Sequence, residues 1–161
     1  LLGVRGTKPS DWKDLKADAS LLPNRLRTTK RYKENFNDMQ QIIALYTPDQ
    51  YEYYLSGHSL GGAVTNQMMR DFPFIMGTVD YNSAFQTFDL KKQNVKQKKI
   101  YTDQDFLYNL GGRYFKNIEV IPAKPPTSVL GKLFQKTPIV GSIKKGLDGH
   151  ALQQFDSRYA L

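Results

Sequence analysis

YYLSGHSLGGAV, residues 53–64, joins an aromatic, strand-like run to a serine that stands between glycines. Residues 57–61 fit the pattern G-x-S-x-G, in which a nucleophilic serine occupies a sharp turn between a strand and a helix. Gly57 and Gly61 have no side chains to collide with the chain folded back on either side, and Gly62 lets the helix approach the sheet. The bare pattern occurs by chance in about 5% of chains of this length, so its weight comes from the elements around it.

The flanking sequence alternates strand-like and helical patterns. Residues 30–46 carry an apolar stripe at helical spacing, and Thr47-Pro48-Asp49 ends it. The stripe consists of Tyr32, Phe36, Met39, Ile43 and Tyr46. A second helix is predicted from Leu60 to Asp71. Strands are predicted within residues 1–7, 51–56, 74–84, 98–103 and 117–123. Strands separated by helices predict one α/β domain over residues 1–161, with a mostly parallel sheet flanked by helices.

A nucleophilic serine needs a base, and the chain has only two histidines. His58 adjoins Ser59, and neighbours along a tight turn point in different directions, which makes it a poor base for that serine. His150 lies beside Gly149 in a loop-like segment. A single loop histidine is more often a surface residue, but elimination makes His150 the candidate base.

The base needs a carboxylate to orient it, and Asp103 and Asp105 follow a predicted strand. The order Ser59, aspartate, His150 is that of the α/β-hydrolase fold. Either aspartate could instead form a turn. Asp148 is too close to His150 in sequence for a natural contact. The N–H of Leu60, at the start of the second helix, is a candidate oxyanion donor.

Composition narrows the function classes. The chain has no cysteine, which excludes disulfides, thiolate zinc sites and a cysteine nucleophile, and two histidines make a structural metal site improbable. No apolar run approaches the roughly 20 residues that span a bilayer. The net charge of +8 gives a basic surface, which attracts nucleic acid, anionic membranes or acidic partners alike. The densest basic stretch holds Lys91, Lys92, Lys96, Lys98 and Lys99. No aromatic residues interleave with these lysines, so a solvated loop ahead of a strand is favoured over a nucleic-acid site.

Residues 127–149 alternate apolar side chains with glycine, proline and lysine. Pro138, Gly131 and Gly141 argue against one continuous helix. Two interpretations stay open. The segment is an irregular connection that packs on the body, or it is an apolar, cationic flap that meets a lipid surface.

These motifs together resemble the class 3 (fungal-type) lipase family over nearly the whole chain. VRGT (residues 4–7) is similar to the family's RGT/S segment, SDWKDL (10–15) to its DWxxDL, and GHSLGGA (57–63) to its serine elbow. DQDFLYNLGG (103–112) resembles the D-x-V-P-x-L-P segment without its prolines, and DGHALQQF (148–155) resembles DHxxY.

The resemblance implies an α/β-hydrolase fold with Ser59 as nucleophile, His150 as general base and acid, and Asp105, rather than Asp103, as the orienting carboxylate. It also implies an oxyanion hole made by the N–H groups of Thr7 and Leu60, with Gly57, His58 and Gly61 shaping the elbow. No metal or organic cofactor is implied. The expected reaction is hydrolysis of acylglycerol or phospholipid esters through an acyl-serine, with a lipid or membrane-surface substrate.

The chain begins at the family's RGT strand, so the fold is expected to be minimal or shortened at its N-terminus, with a partner chain as one source of the missing elements. A lid confined to residues 12–26 favours an esterase or phospholipase over a strict triglyceride lipase. The alternative hypothesis is a non-catalytic, structural lipase-fold component of a larger assembly, such as a virion or a polyprotein product. The sequence does not indicate the compartment.

Overall fold

A computed structural model describes residues 1–6, 25–91 and 93–124. Five parallel strands form one sheet, and they lie side by side in the order in which they occur along the chain. They are β1 (Leu2–Val4), β2 (Tyr53–His58), β3 (Ile75–Tyr81), β4 (Gln97–Thr102) and β5 (Ile118–Ile121). The predicted α/β class with a mostly parallel sheet is confirmed.

Helices occupy the connections between these strands. They are α1 (Lys30–Leu45), α2 (Leu60–Asp71), α3 (Thr87–Lys91) and α4 (Phe106–Leu110), with 3₁₀ turns at Leu26–Thr28 and Gly112–Tyr114. The described residues therefore form a parallel sheet whose strands are joined by helices, as the alternating pattern of the sequence predicts. No helix in the described parts of the chain is long and apolar enough to cross a membrane.

Helix α1 begins where Thr29 caps it, because the Thr29 side chain accepts a hydrogen bond of 3.2 Å from the Tyr32 N–H. Tyr32 and Met39 are buried as the stripe predicts, and Phe36 packs against Phe72 with ring centroids 4.8 Å apart. Tyr46 does not belong to the stripe, because it is 52% exposed. The helix ends one residue earlier, and the changed backbone direction turns Tyr46 out of the stripe.

Helix α2 is the central helix of the domain. Ten of its twelve residues are buried, many more than the apolar side predicted from Leu60, Ala63, Val64 and Met68. The helix packs across β1, β2 and β3, which explains this burial. A separate, smaller apolar cluster contains Tyr81, Ile100 and Ile121, with Val79 against it.

The basic stretch is not a uniformly solvated loop. Lys98 and Lys99 lie in β4, where Lys98 pairs with Glu119 at 2.8 Å and Lys99 is only 1% exposed. The expectation of a solvated position is therefore wrong for Lys99, since its side chain enters the protein interior.

Candidate active site

Ser59 forms the turn between β2 and α2 in a strained backbone conformation. Its φ of 56° and ψ of −127° lie in a region that non-glycine residues rarely adopt, at a cost of about 1–3 kcal/mol. Its N–H donates to the Tyr81 carbonyl at 3.1 Å, and its carbonyl accepts from the N–H groups of Gly62 (3.0 Å) and Ala84 (2.8 Å). Chain at and beyond the end of β3 therefore holds the serine in place.

The glycines of the elbow stand where no side chain fits. A Cβ on Gly57 would lie 2.6 Å from the Gly61 backbone, and one on Gly61 would lie 2.2 Å from the Val4 carbonyl oxygen. A Cβ on Gly62 would lie 2.2 Å from that of Ser83. The residue types read from the sequence thus match three close approaches, in which α2 packs against β2, β1 and the segment after β3.

The end of β1 lies against the nucleophile. A Cβ on Gly6 would lie 3.1 Å from the Cβ of Ser59 and 3.0 Å from Nδ1 of His58. The Arg31 guanidinium donates to the Arg5 carbonyl and so ties this end of β1 to α1. Burial lowers the pKa of Arg31, and the nearby Arg5 adds to that effect.

Of the two predicted oxyanion donors, only Leu60 is among the described residues. Leu60 opens α2, so its N–H belongs to the first turn, where backbone donors have no partner within the helix. Thr7 follows Gly6 directly, but it lies outside the described residues.

The two candidate aspartates differ in burial and in their hydrogen bonds. Asp105 is completely buried and caps α4, with its Oδ1 accepting from the Tyr108 N–H at 2.9 Å. Asp103 is exposed, and its Oδ1 accepts from the Ala123 N–H at 2.9 Å. Asp103 therefore forms the turn-stabilising contact that the sequence left open, whereas the carboxylate of Asp105 is directed into the protein.

Ser59 and Asp105 lie at the same edge of the sheet. Ser59 follows β2 and Asp105 comes shortly after β4, and the carboxyl ends of parallel strands meet at one edge. One strand lies between them, which at about 4.8 Å per strand puts the two strand ends about 10 Å apart. Both residues therefore lie at the same edge of the sheet, after strands that are separated by one strand.

The remaining predicted site residues lie outside the described residues. They are the candidate base His150, its neighbour Asp148, the possible flap at 127–149 and all but the last two residues of the possible lid at 12–26. Among the described residues, no group of three or more His, Asp or Glu side chains could hold a metal ion.

Sequence reasoning missed a buried ion pair beneath the elbow. Asp80 in β3 and Lys99 in β4 are 0% and 1% exposed, with Nζ 3.7 Å from Oδ2. Burial raises the pKa of Asp80 to about 6, although Lys99 and hydrogen bonds oppose that rise. Burial also lowers the pKa of Lys99, against the attraction of Asp80. Only Asp80 left a signal in the sequence, since its charge interrupts a stretch predicted as a strand, whereas Lys99 follows other lysines at the start of the next predicted strand.

Beside this pair, the segment after β3 is held by polar contacts. The amide oxygen of Asn82, a residue with a positive φ of 41°, accepts from the Thr102 N–H at 2.9 Å. The Tyr101 hydroxyl donates to the Ser83 carbonyl at 3.0 Å. Asn82 and Ser83 are both fully buried, so these contacts fix the chain just ahead of Ala84, which binds the Ser59 carbonyl.

Comparison with known proteins gives one distant structural match. No family model matches the chain, and no curated protein is similar to it. One solved structure, a predicted CIB-like hydrolase from Thermoplasma acidophilum, is similar with a TM-score of 0.49 and 14% identity, covering 76% of this chain and 74% of that one. No activity transfers at this level of similarity. The resemblance of the motifs to class 3 lipases is not supported by a family match.

Proposed function

We propose that the chain is a serine hydrolase of carboxylic esters, with Ser59 as the nucleophile. In this reaction the Ser59 hydroxyl attacks the ester carbonyl, and His150 takes its proton and passes it to the leaving alcohol. Water then attacks the acyl-serine while His150 takes a proton from it, and His150 passes that proton to the Ser59 oxygen as the acyl–serine bond breaks and the carboxylic acid leaves. Asp105 orients the imidazole, and the N–H groups of Leu60 and Thr7 stabilise the oxyanion.

The backbone of Ser59 is the observation that carries this proposal. A turn at φ 56° and ψ −127° would cost less with glycine, so a purely structural turn gives no reason for serine. The strain, the three close glycine approaches and the N-terminus of α2 are the features that a nucleophile at this turn requires.

The proposed substrates are lipid esters, either acylglycerols or phospholipids. The net charge of +8 favours contact with an anionic lipid surface, where such substrates reside. The motif resemblance to class 3 lipases points to the same substrate class.

Active-site labelling tests the proposal. The wild-type chain is incubated with an alkyl fluorophosphonate, and the modified peptide is identified by mass spectrometry. Because Ser59 is 1% exposed, labelling is followed over hours, with and without vesicles of anionic phospholipid. We expect modification of Ser59 in the wild type and none in Ser59→Ala. Ser56→Ala, which changes a half-buried serine in the strand that leads to Ser59, is expected to label like the wild type.

Substrate class is tested with the same proteins. Release of fatty acid is measured from a short-chain p-nitrophenyl ester, a monoacylglycerol and phosphatidylglycerol vesicles, and Ser59→Ala is expected to abolish it. A folded wild-type chain that is neither labelled nor active on any of these esters would contradict the proposal and favour the non-catalytic alternative.

A further inference from the structure

Burying the Asp80–Lys99 pair costs free energy, because two charged groups lose their contact with water. Both side chains are almost completely withdrawn from water, and their charged atoms are 3.7 Å apart. Apolar residues of similar volume are often as stable or more stable in such a position. The contacts around the pair indicate what it does there.

The Asp80 carboxylate connects the two elements that meet at Ser59. On one side a backbone hydrogen bond joins it to Gly57, two residues before the nucleophile. On the other side its Oδ1 lies 2.6 Å from the hydroxyl of Thr65 in α2, which is also 2.8 Å from the Gly62 carbonyl. The carboxylate therefore holds the end of β2 and the first turns of α2 at a fixed separation.

Lys99 reaches the third element that holds the nucleophile. Its ammonium donates to the Ser83 hydroxyl at 3.0 Å and lies 4.8 Å from the centroid of the Phe115 ring. The Ser83 side chain fills the space against Gly62, and the next residue, Ala84, donates to the Ser59 carbonyl. The pair thus links β2, α2 and the segment after β3 from below.

We propose that the Asp80–Lys99 pair is the positioning element of the serine elbow, holding Ser59 in its strained backbone conformation for attack. This inference rests on the proposed role of Ser59 as nucleophile. Neither side chain is placed to touch substrate, so both act through the backbone of residues 57–62. Their loss is expected to lower kcat and to leave KM nearly unchanged, because the shape of the substrate site is not altered.

A second buried carboxylate supplies the matched control. Asp89 in α3 is 2% exposed and pairs with Arg70 near the far end of α2. Arg70 comes 11 residues after Ser59, about 16 Å along the helix. The Asp89 charge also acts on Lys99, so Asp89→Asn removes a comparable buried charge while the hydrogen bonds of Asp80 and Lys99 stay in place.

The test compares Asp80→Asn and Lys99→Met with Asp89→Asn in the full chain. We measure the rate of fluorophosphonate labelling, kcat and KM on a p-nitrophenyl ester, and amide hydrogen exchange over residues 57–62. Asp80→Asn and Lys99→Met are expected to lower kcat and labelling about tenfold, with KM changed less than twofold. Exchange at the elbow is expected to rise about tenfold in both variants, and in Asp89→Asn all these quantities are expected to stay within twofold of wild type.

The proposal is overturned if Asp80→Asn and Lys99→Met match Asp89→Asn in labelling rate and in exchange at the elbow. Two variants are used so that one that fails to fold leaves the other to decide. Hydrogen exchange does not require activity. A wild-type chain inert to ester and probe, whose elbow is nevertheless loosened only by the Asp80 and Lys99 changes, would refute the hydrolase function and retain the positioning role.

Discussion

Replacing Asp105 with asparagine separates its two roles in the structure. The carboxylate caps α4 through the Tyr108 N–H, and it is the proposed orienting group for His150. Asparagine caps a helix about as well as aspartate, so Asp105→Asn is expected to change the free energy of unfolding by less than about 1 kcal/mol. Alanine removes the cap as well and is expected to cost about 1 kcal/mol more.

The loss of activity in Asp105→Asn should be much larger than its loss of stability. An amide in place of the orienting carboxylate favours the wrong imidazole tautomer, and the loss in kcat for such a change is about 10⁴-fold. That factor corresponds to about 5.5 kcal/mol of transition-state stabilisation, several times the value of a helix cap. Asp105→Asn and Asp105→Ala should therefore differ in thermal stability but be similarly inactive.

The assay is hydrolysis of a p-nitrophenyl ester combined with thermal unfolding of each variant. Asp103→Asn is the matched control, because its amide oxygen still accepts the Ala123 N–H at the exposed position. It is expected to keep wild-type activity. If Asp105→Asn keeps more than about a tenth of wild-type kcat while folded, or if Asp103→Asn loses as much, the assignment of the carboxylate is wrong.

Three further predictions concern stability, measured by chemical denaturation. Gly61→Ala would put a Cβ 2.2 Å from a carbonyl oxygen of β1 and is expected to cost about 2 kcal/mol or more, whereas Gly3→Ala, with nothing within 4 Å, stays within about 0.5 kcal/mol of wild type. Burial opposes ionisation of Asp71, but hydrogen bonds from an arginine, a tyrosine and a glutamine hold its pKa below the ordinary value. Asp71→Asn should therefore cost about 1 kcal/mol at pH 7, and the loss should shrink as the pH falls below about 4, where the wild type also becomes protonated. For Asp80 the sign is reversed: its pKa is raised from 3.8 to about 6 in the folded chain, so the wild type loses stability as the pH rises from about 4 to about 6, by about 3 kcal/mol at most. The double variant Asp80→Asn, Lys99→Met should lack most of that loss. A double variant with the same pH dependence as the wild type would refute the assignment to Asp80.

Features set by neighbouring residues were predictable from the sequence. The strand, turn and helix around Ser59 follow one another directly, and the glycines needed for close packing lie within five residues of the serine. The start and end predicted for the second helix, Leu60 and Asp71, are those of α2. Local patterns of this kind depend on sterics and apolar spacing, which the sequence carries by itself.

Features that depend on contacts between distant strands were not predictable. Lys99 has four other lysines within eight residues, so its sequence context indicates solvent, and its burial depends on Asp80 in the neighbouring strand. Residue types alone left Asp103 and Asp105 equivalent, and only the motif resemblance favoured Asp105; that Asp105 is the buried one of the two depends on the fold at the start of α4. The prediction that Tyr46 belongs to the apolar stripe of α1 was wrong, because the spacing of apolar residues does not determine which residue ends the helix.

The consecutive order of the strands has a consequence for the order in which the protein is assembled. During synthesis the chain emerges from its N-terminus, so each described strand finds its neighbour already made. The backbone bonds that hold Ser59 come from Tyr81 and Ala84, so the elbow can close once residue 84 is available. Lys99 and Asp105 arrive only with β4 and the helix after it. The backbone partners of the strained turn are therefore synthesised before the lysine and the carboxylate that support it from β4 and the helix that follows.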